Sequence, residues 1–172
     1  DMSNSYVTAG GSNGYTSSAN VKLTGGKIGV YQTVNRGQLN TAIVKVAGAS
    51  IGKFYVGGET EDKSVTGIIN KINTYLVSGN IETLDSGTSN GSPITLDNEA
   101  YNVTATDSVK ITNDNIGDSK KSISYDFTIS TKSVKLFVNQ NMKLPIVVTT
   151  NPTGYEEVFA DLFSYSVDDE SM

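Results

Sequence analysis

The sequence predicts a mostly β protein: a body built as an antiparallel β-sandwich or barrel-like arrangement, one amphipathic helix packed on it, and a second β module at the carboxyl end. Three observations lead there. Apolar residues make up 37% of the chain, while glycine, serine, threonine and asparagine are abundant, the balance expected of short strands joined by polar turns. Short apolar runs recur between glycine or asparagine signals, as in VKL, KIGVYQTV and GKFYVGG. One stretch, DKSVTGIINKINTYLVSG, instead carries an apolar stripe at helical spacing.

Taken in order, residues 1–20 are small and polar, with Gly10, Gly11 and Gly14 among serines and asparagines. Such a composition buries too little surface to order itself alone, so the segment reads as an arm that is flexible or ordered by a partner. Tyr6, Val7 and Tyr15 are its larger side chains and its candidate contacts with another subunit. The body spans 21–131. Its strands begin at Val21, and in NRGQLNTAIVKVA a loop and strand compete with a short helix, because Leu39, Ile43 and Val46 also fall at helical spacing.

The helix is expected near 63–78, where Val65, Ile68, Ile69, Ile72, Tyr75 and Leu76 form one stripe. Asp62 or Ser64 can cap its start and Gly79 can end it. Gly67 weakens it by about 1 kcal/mol relative to alanine, so packing must supply its stability. Val65, Ile69 and Ile72 are accordingly candidate interface residues. DSGTSNGSP at 85–93 has turn composition, and strands follow at PITLD, AYNVTAT, SVKITN and SISYDFTIST. The polar NDNIGDSKK, between apolar runs ending at Ile111 and starting at Ile123, predicts a hairpin and an antiparallel pair. SYDFTIST sets Tyr125, Phe127 and Ile129 against Ser124, Asp126 and Thr128, the alternation of a half-buried strand.

A second module is expected at 132–172. Val134, Leu136 and Val138 lead to the turn NQN; Leu144, Ile146 and Val148 lead to Asn151 and Pro152; then LFSYSVDDESM places aromatics and serines before a polar turn. This order resembles the opening of a bacterial immunoglobulin-like domain of the group 2 type. The sequence departs from that pattern in having Phe163 where the family has tryptophan and in the full loop GYEEVFADL. The resemblance implies an incomplete immunoglobulin-like β-sandwich, since a seven-stranded sandwich needs further strands. These are expected from a longer polypeptide or from another chain by β-augmentation, which makes Leu144, Ile146 and Val148 candidate interface residues. It also implies a non-catalytic role, because modules of this type are appended to tailed-phage virion proteins and to bacterial surface adhesins.

Composition narrows the chemistry. The chain has no cysteine and no histidine, which removes disulfides, thiolate zinc sites, Ser-His-Asp and Cys-His nucleophiles and histidine proton shuttles. Its 13 basic and 18 acidic residues give a net charge of −5, without the basic stripe of a nucleic-acid binder; Lys120 and Lys121 read as a solvated turn. No apolar run approaches the roughly 20 residues that span a bilayer. Glu59, Glu61 and Asp62, or Asp168, Asp169 and Glu170, are the only carboxylate clusters that a glycosidase could use; the first reads as a helix entry and the second as a solvated turn. NDNIGD at 113–118 lacks the first carboxylate and closing glutamate of a calcium loop. GGSNG and VGGE lack the lysine and helix of a P-loop, and Asn90 and Asn102 sit in glycosylation patterns that chance supplies. Tyrosine accounts for nine residues, and its amphipathic ring suits both protein interfaces and carbohydrate stacking.

The expectation is a non-enzymatic structural subunit of a tailed-bacteriophage virion, of capsid-decorating or head-fibre type, with a tail-tube subunit as the alternative within that class. Its partners would be copies of itself and other virion proteins, with carbohydrate or a host surface as a further partner, and no nucleic acid, membrane, metal or cofactor. The alternative of another class is a bacterial surface or secreted adhesion module.

Overall fold

The computed structural model describes residues 2–10, 13–59, 67–96, 99–129 and 146–160. The chain divides into two compact units, Asp1–Ser122 and Ile123–Met172; the boundary expected near Lys132 lies outside the described residues.

In the first unit the strands are β1 (Met2–Gly10), β2 (Tyr15–Leu23), β3 (Lys27–Val34), β4 (Gln38–Tyr55), β5 (Ile68–Asp85), β6 (Thr88–Ser89), β7 (Ser92–Pro93), β8 (Tyr101–Ala105), β9 (Val109–Asp114) and β10 (Lys120–Ser122). Eight of them form one sheet in the order β1-β3-β4-β5-β8-β10, with β2 also on β4 and β9 also on β5. Every pairing in that sheet is parallel. The first unit therefore winds as a parallel β-solenoid, each coil lying on the one before, with register shifts between Met2 and Tyr6 of β1 and around Ala47 of β4. This overturns the expected antiparallel sandwich or barrel.

The reason lies in what the glycines do. β4 passes through Gly48 at φ 109° and β5 through Gly79 at φ 119°, so each long strand bends at a corner instead of reversing. β2 pairs with the first half of β4 and β3 with the second half, which sets the Gly25-Gly26 turn beside the Gly48 corner. Backbones approach closely at these bends: a Cβ on Gly79 would lie 2.4 Å from the Ala49 carbonyl oxygen. Glycine is required there by both conformation and space.

The expected helix near 63–78 is also overturned, since the chain from Ile68 onward is β5. Its inward residues are Ile69, Ile72, Thr74 and Leu76, with Asn70 and Lys71 both turned outward between the first two. That break in alternation gives the three-residue spacing that imitates a helix. β4 repeats it with Leu39, Ala42, Val44 and Val46 inward, so the ambiguous NRGQLNTAIVKVA is strand from Gln38.

The hairpin expected across NDNIGDSKK does not form. β9 pairs in parallel with β5, and β10 in parallel with β8, so the intervening turn completes a coil. A hairpin occurs earlier, where β6 and β7 pair antiparallel around Asn90 and Gly91, both at positive φ, the geometry that two-residue hairpin loops favour. At the amino end, residues 2–10 and 15–23 are strands. Their order comes from backbone pairing to β3 and β4, which composition does not reveal.

The core is a set of ladders running from coil to coil. Ile28 lies beside Ile51, Ile51 beside Ile81, and Ile81 beside Ile111. A second ladder runs Val7, Tyr31, Phe54, Leu84, and the rings of Tyr31 and Phe54 stack with centroids 4.7 Å apart. Each such side chain, when fully buried, contributes about 1.5–3 kcal/mol.

In the second unit β11 (Ser124–Ile129) pairs antiparallel with β12 (Ile146–Asn151), and a short helix α1 (Glu156–Ala160) follows. Phe159 is buried and stacks on Tyr125 at 4.3 Å. Tyr125 and Phe127, expected half-buried, are 37% and 49% exposed. The strand at 134–138 and the stretch LFSYSVDDESM lie outside the described residues.

Tyr31 tests the core. Burial pushes its phenol well above its ordinary pKa; the nearby Thr33 hydroxyl offsets part of this, without reaching hydrogen-bond geometry. A buried hydroxyl with no partner costs about 1–3 kcal/mol. Tyr31→Phe is therefore expected to raise stability by about 1 kcal/mol in urea unfolding, whereas a loss of that size would show that the hydroxyl is satisfied.

Candidate functional site

The parallel register gathers residues far apart in sequence onto one outer face. Lys27 of β3, Ser50 of β4, Asn80 of β5 and Lys110 of β9 form one row across adjacent strands. Tyr6, Val30, Lys53 and Thr83 form a second. Between the rows run Gly29, Gly52 and then Glu82. These residues line an open groove of about 750 Å³. A Cβ on Gly52 would lie 2.6 Å from the Gly29 carbonyl oxygen, so close packing of strands requires a glycine there, and at Gly29 and Gly52 the groove floor carries no side chain.

Three lysines and one glutamate make the groove cationic in a chain of net charge −5. Lys27, Lys110, Asn80 and Glu82 are exposed, and Tyr6 is 62% exposed. The arrangement offers ammonium donors, amide and hydroxyl groups and one aromatic ring, which suits a ligand bearing carboxylates and hydroxyls.

Of the described candidate residues, Tyr6 is the one that lines the groove. Val7 is partly buried and packs against the core, and Tyr15 is 64% exposed. Ile69 and Ile72 are buried in the core of their own unit, which takes them off any surface. Val148 is partly buried in β12, Ile146 begins that strand, and Val65 and Leu144 lie outside the described residues. Glu59 is buried, and its amide donates to the Gln32 side chain at 2.9 Å; Glu61, Asp62 and Asp168–Glu170 lie outside the described residues. Among the described residues no group of three or more histidine, cysteine, aspartate or glutamate side chains is placed to hold a metal.

In the NDNIGD turn the Asp114 carboxylate is already engaged by its neighbours. Asp114 Oδ1 accepts from the amides of Ile116 and Gly117 at 3.2 and 3.0 Å, and Oδ2 pairs with the Lys120 ammonium. Its carboxylate is occupied within the turn. Partial burial acts to raise its pKa, but the Lys120 ammonium and the two amides outweigh it and hold Asp114 below the usual carboxylate range. Lys121 donates to the Asn102 side chain at 3.3 Å.

Lys27, Lys53 and Lys110 carry no motif, so only the strand register reveals them as a set. The signal in the sequence is the recurrence of SIGKF after KIGVY, which places Gly52 on Gly29 once the coils are aligned. No family model, curated protein or solved structure matches the chain.

Lys120→Met is expected to return the Asp114 pKa toward its ordinary value, read from the carboxyl carbon shift in an NMR titration. A depressed pKa stabilises the fold fully above the unfolded carboxylate value, and that stabilisation is lost as pH falls through the folded one. For so exposed a pair it amounts to no more than about 1 kcal/mol. An unchanged Asp114 titration in the variant would contradict the pairing.

Proposed function

We infer that the chain is a structural and display subunit rather than a catalyst, and that its setting is the virion of a tailed bacteriophage, in a capsid-decorating or head-fibre role. The observation that carries this reading is the in-register parallel stack, in which each coil rests on its neighbours and the surface is drawn out along the stacking axis. Such an architecture presents long side-chain rows on a stiff support. The absence of histidine and cysteine from the sequence accords with a role without nucleophilic chemistry, and the resemblance of the carboxyl-terminal segment to modules carried by virion proteins supplies the phage setting.

A tail-tube subunit stays the alternative within that class. A bacterial surface or secreted adhesion module remains the second reading, to which the cationic groove would give a binding face. No helix among the described residues is long and apolar enough to cross a membrane.

Labelling with an antibody against the 1–122 unit, viewed by electron microscopy, separates the two. The virion reading expects regular label on heads or fibres of purified particles. Label confined to the bacterial envelope, with particles bare, would overturn it in favour of adhesion.

A further inference from the structure

We propose that the groove over Gly29 and Gly52 binds an acidic glycan in which carboxylated residues alternate with neutral ones. The argument starts from spacing. Lys27 and Lys110 occupy the same row three strands apart, a backbone separation of roughly 14 Å at the usual spacing between strands. Between them stand Ser50 and Asn80, which are neutral and bond well to hydroxyls. Positive charge thus comes at intervals, with hydroxyl-reading groups in between.

The floor fits the same ligand. At Gly29 and Gly52 the floor carries no side chain of its own, so a flat ring can lie against the backbone there. Tyr6 in the second row exposes its ring, and the apolar face of a pyranose stacks on such a surface. Glu82 adds an acceptor for sugar hydroxyls and would repel a continuous polyanion.

A nucleic acid fits less well. It needs unbroken positive charge along its phosphates, and the chain's one arginine, Arg36, is not among the groove residues. An acidic peptide could add as a strand only at the groove's margins, on β1 or β9, because β3, β4 and β5 across its floor already pair on both sides.

The site stands apart from the virion assignment, since the same groove would serve on a phage particle or on a cell surface. The test uses the full chain with three probes: a hyaluronan octasaccharide, in which glucuronate alternates with a neutral sugar; a neutral chitin oligosaccharide; and an oligothymidylate of similar length. Hyaluronan is expected to bind tightest and to shift the amide signals of Gly29, Gly52 and Lys110. Replacing both flanking lysines, Lys27→Glu with Lys110→Glu, should weaken it about tenfold or more, and Tyr6→Ala about fivefold. All three positions are exposed, so unfolding should stay unchanged and separate lost binding from lost fold. Absence of hyaluronan binding, equal binding of the neutral sugar, tighter binding of oligothymidylate, or indifference to the double lysine variant would overturn the proposal.

Discussion

The stacking of β4 on β5 is the interaction on which the rest of the solenoid depends. These two strands pair along nearly their whole length, from Gln38 beside Ile68 to Tyr55 beside Asp85, and every other coil is attached to one of them or to a strand already resting on them. In a stacked architecture stability comes from each repeat and its contacts with immediate neighbours. Register is therefore the constraint that must be kept, while loop length is free. Three residues join β3 to β4, whereas a much longer segment, partly outside the described residues, joins β4 to β5; the ladders continue in register across both.

Keeping register sets like residues on like. Ile28, Ile51, Ile81 and Ile111 follow one another inside. Outside, the Asn70 amide donates to the Asn40 side chain at 2.9 Å, and Asn73 and Asn102 sit side by side. Stacked asparagines satisfy one another's donors and acceptors, a device also seen in cross-β assemblies. The corners obey the same logic, with glycine admitted where backbone rests directly on backbone, as at Gly48 over Thr24 and Gly79 over Ala49. Past the ends of β4 and β5 the ladder continues through loop backbone, Thr33 donating to Gly57 and Gly57 to Ser86.

Much of the strand content was legible, because β-branched runs between turn residues mark strands whatever their partners. Strand direction was not. A glycine at a solenoid corner and a glycine in a hairpin look alike locally, and only the repeat separates them: ANVKL, TGG and KIGVY are followed by AIVKV, AGA and SIGKF. Repeat periods of roughly 20 to 50 residues are the mark of stacked architectures, and variable loops hide this one from a fixed-period reading. The helix expected near 63–78 came from the same cause, since two consecutive outward residues, Asn70 and Lys71, shift the inward positions to helical spacing. The groove was invisible for a further reason. Its lysines belong to different coils and meet only after the register is known, whereas buried Ile69 and Ile72 announced themselves locally as a stripe and turned out to be core.

The parallel register is thus what links sequence to fold and fold to groove, and it can be tested without reference to function. The chain has no native cysteine, so paired spin labels can be placed cleanly through Thr41→Cys with Lys71→Cys, and separately through Ser50→Cys with Asn80→Cys. Both pairs are in register on β4 and β5, with backbones about 4.8 Å apart, and the account predicts strong dipolar broadening in the electron paramagnetic resonance spectrum of each. An antiparallel arrangement can bring only one of the two pairs together, so broadening in one pair with none in the other would contradict the solenoid.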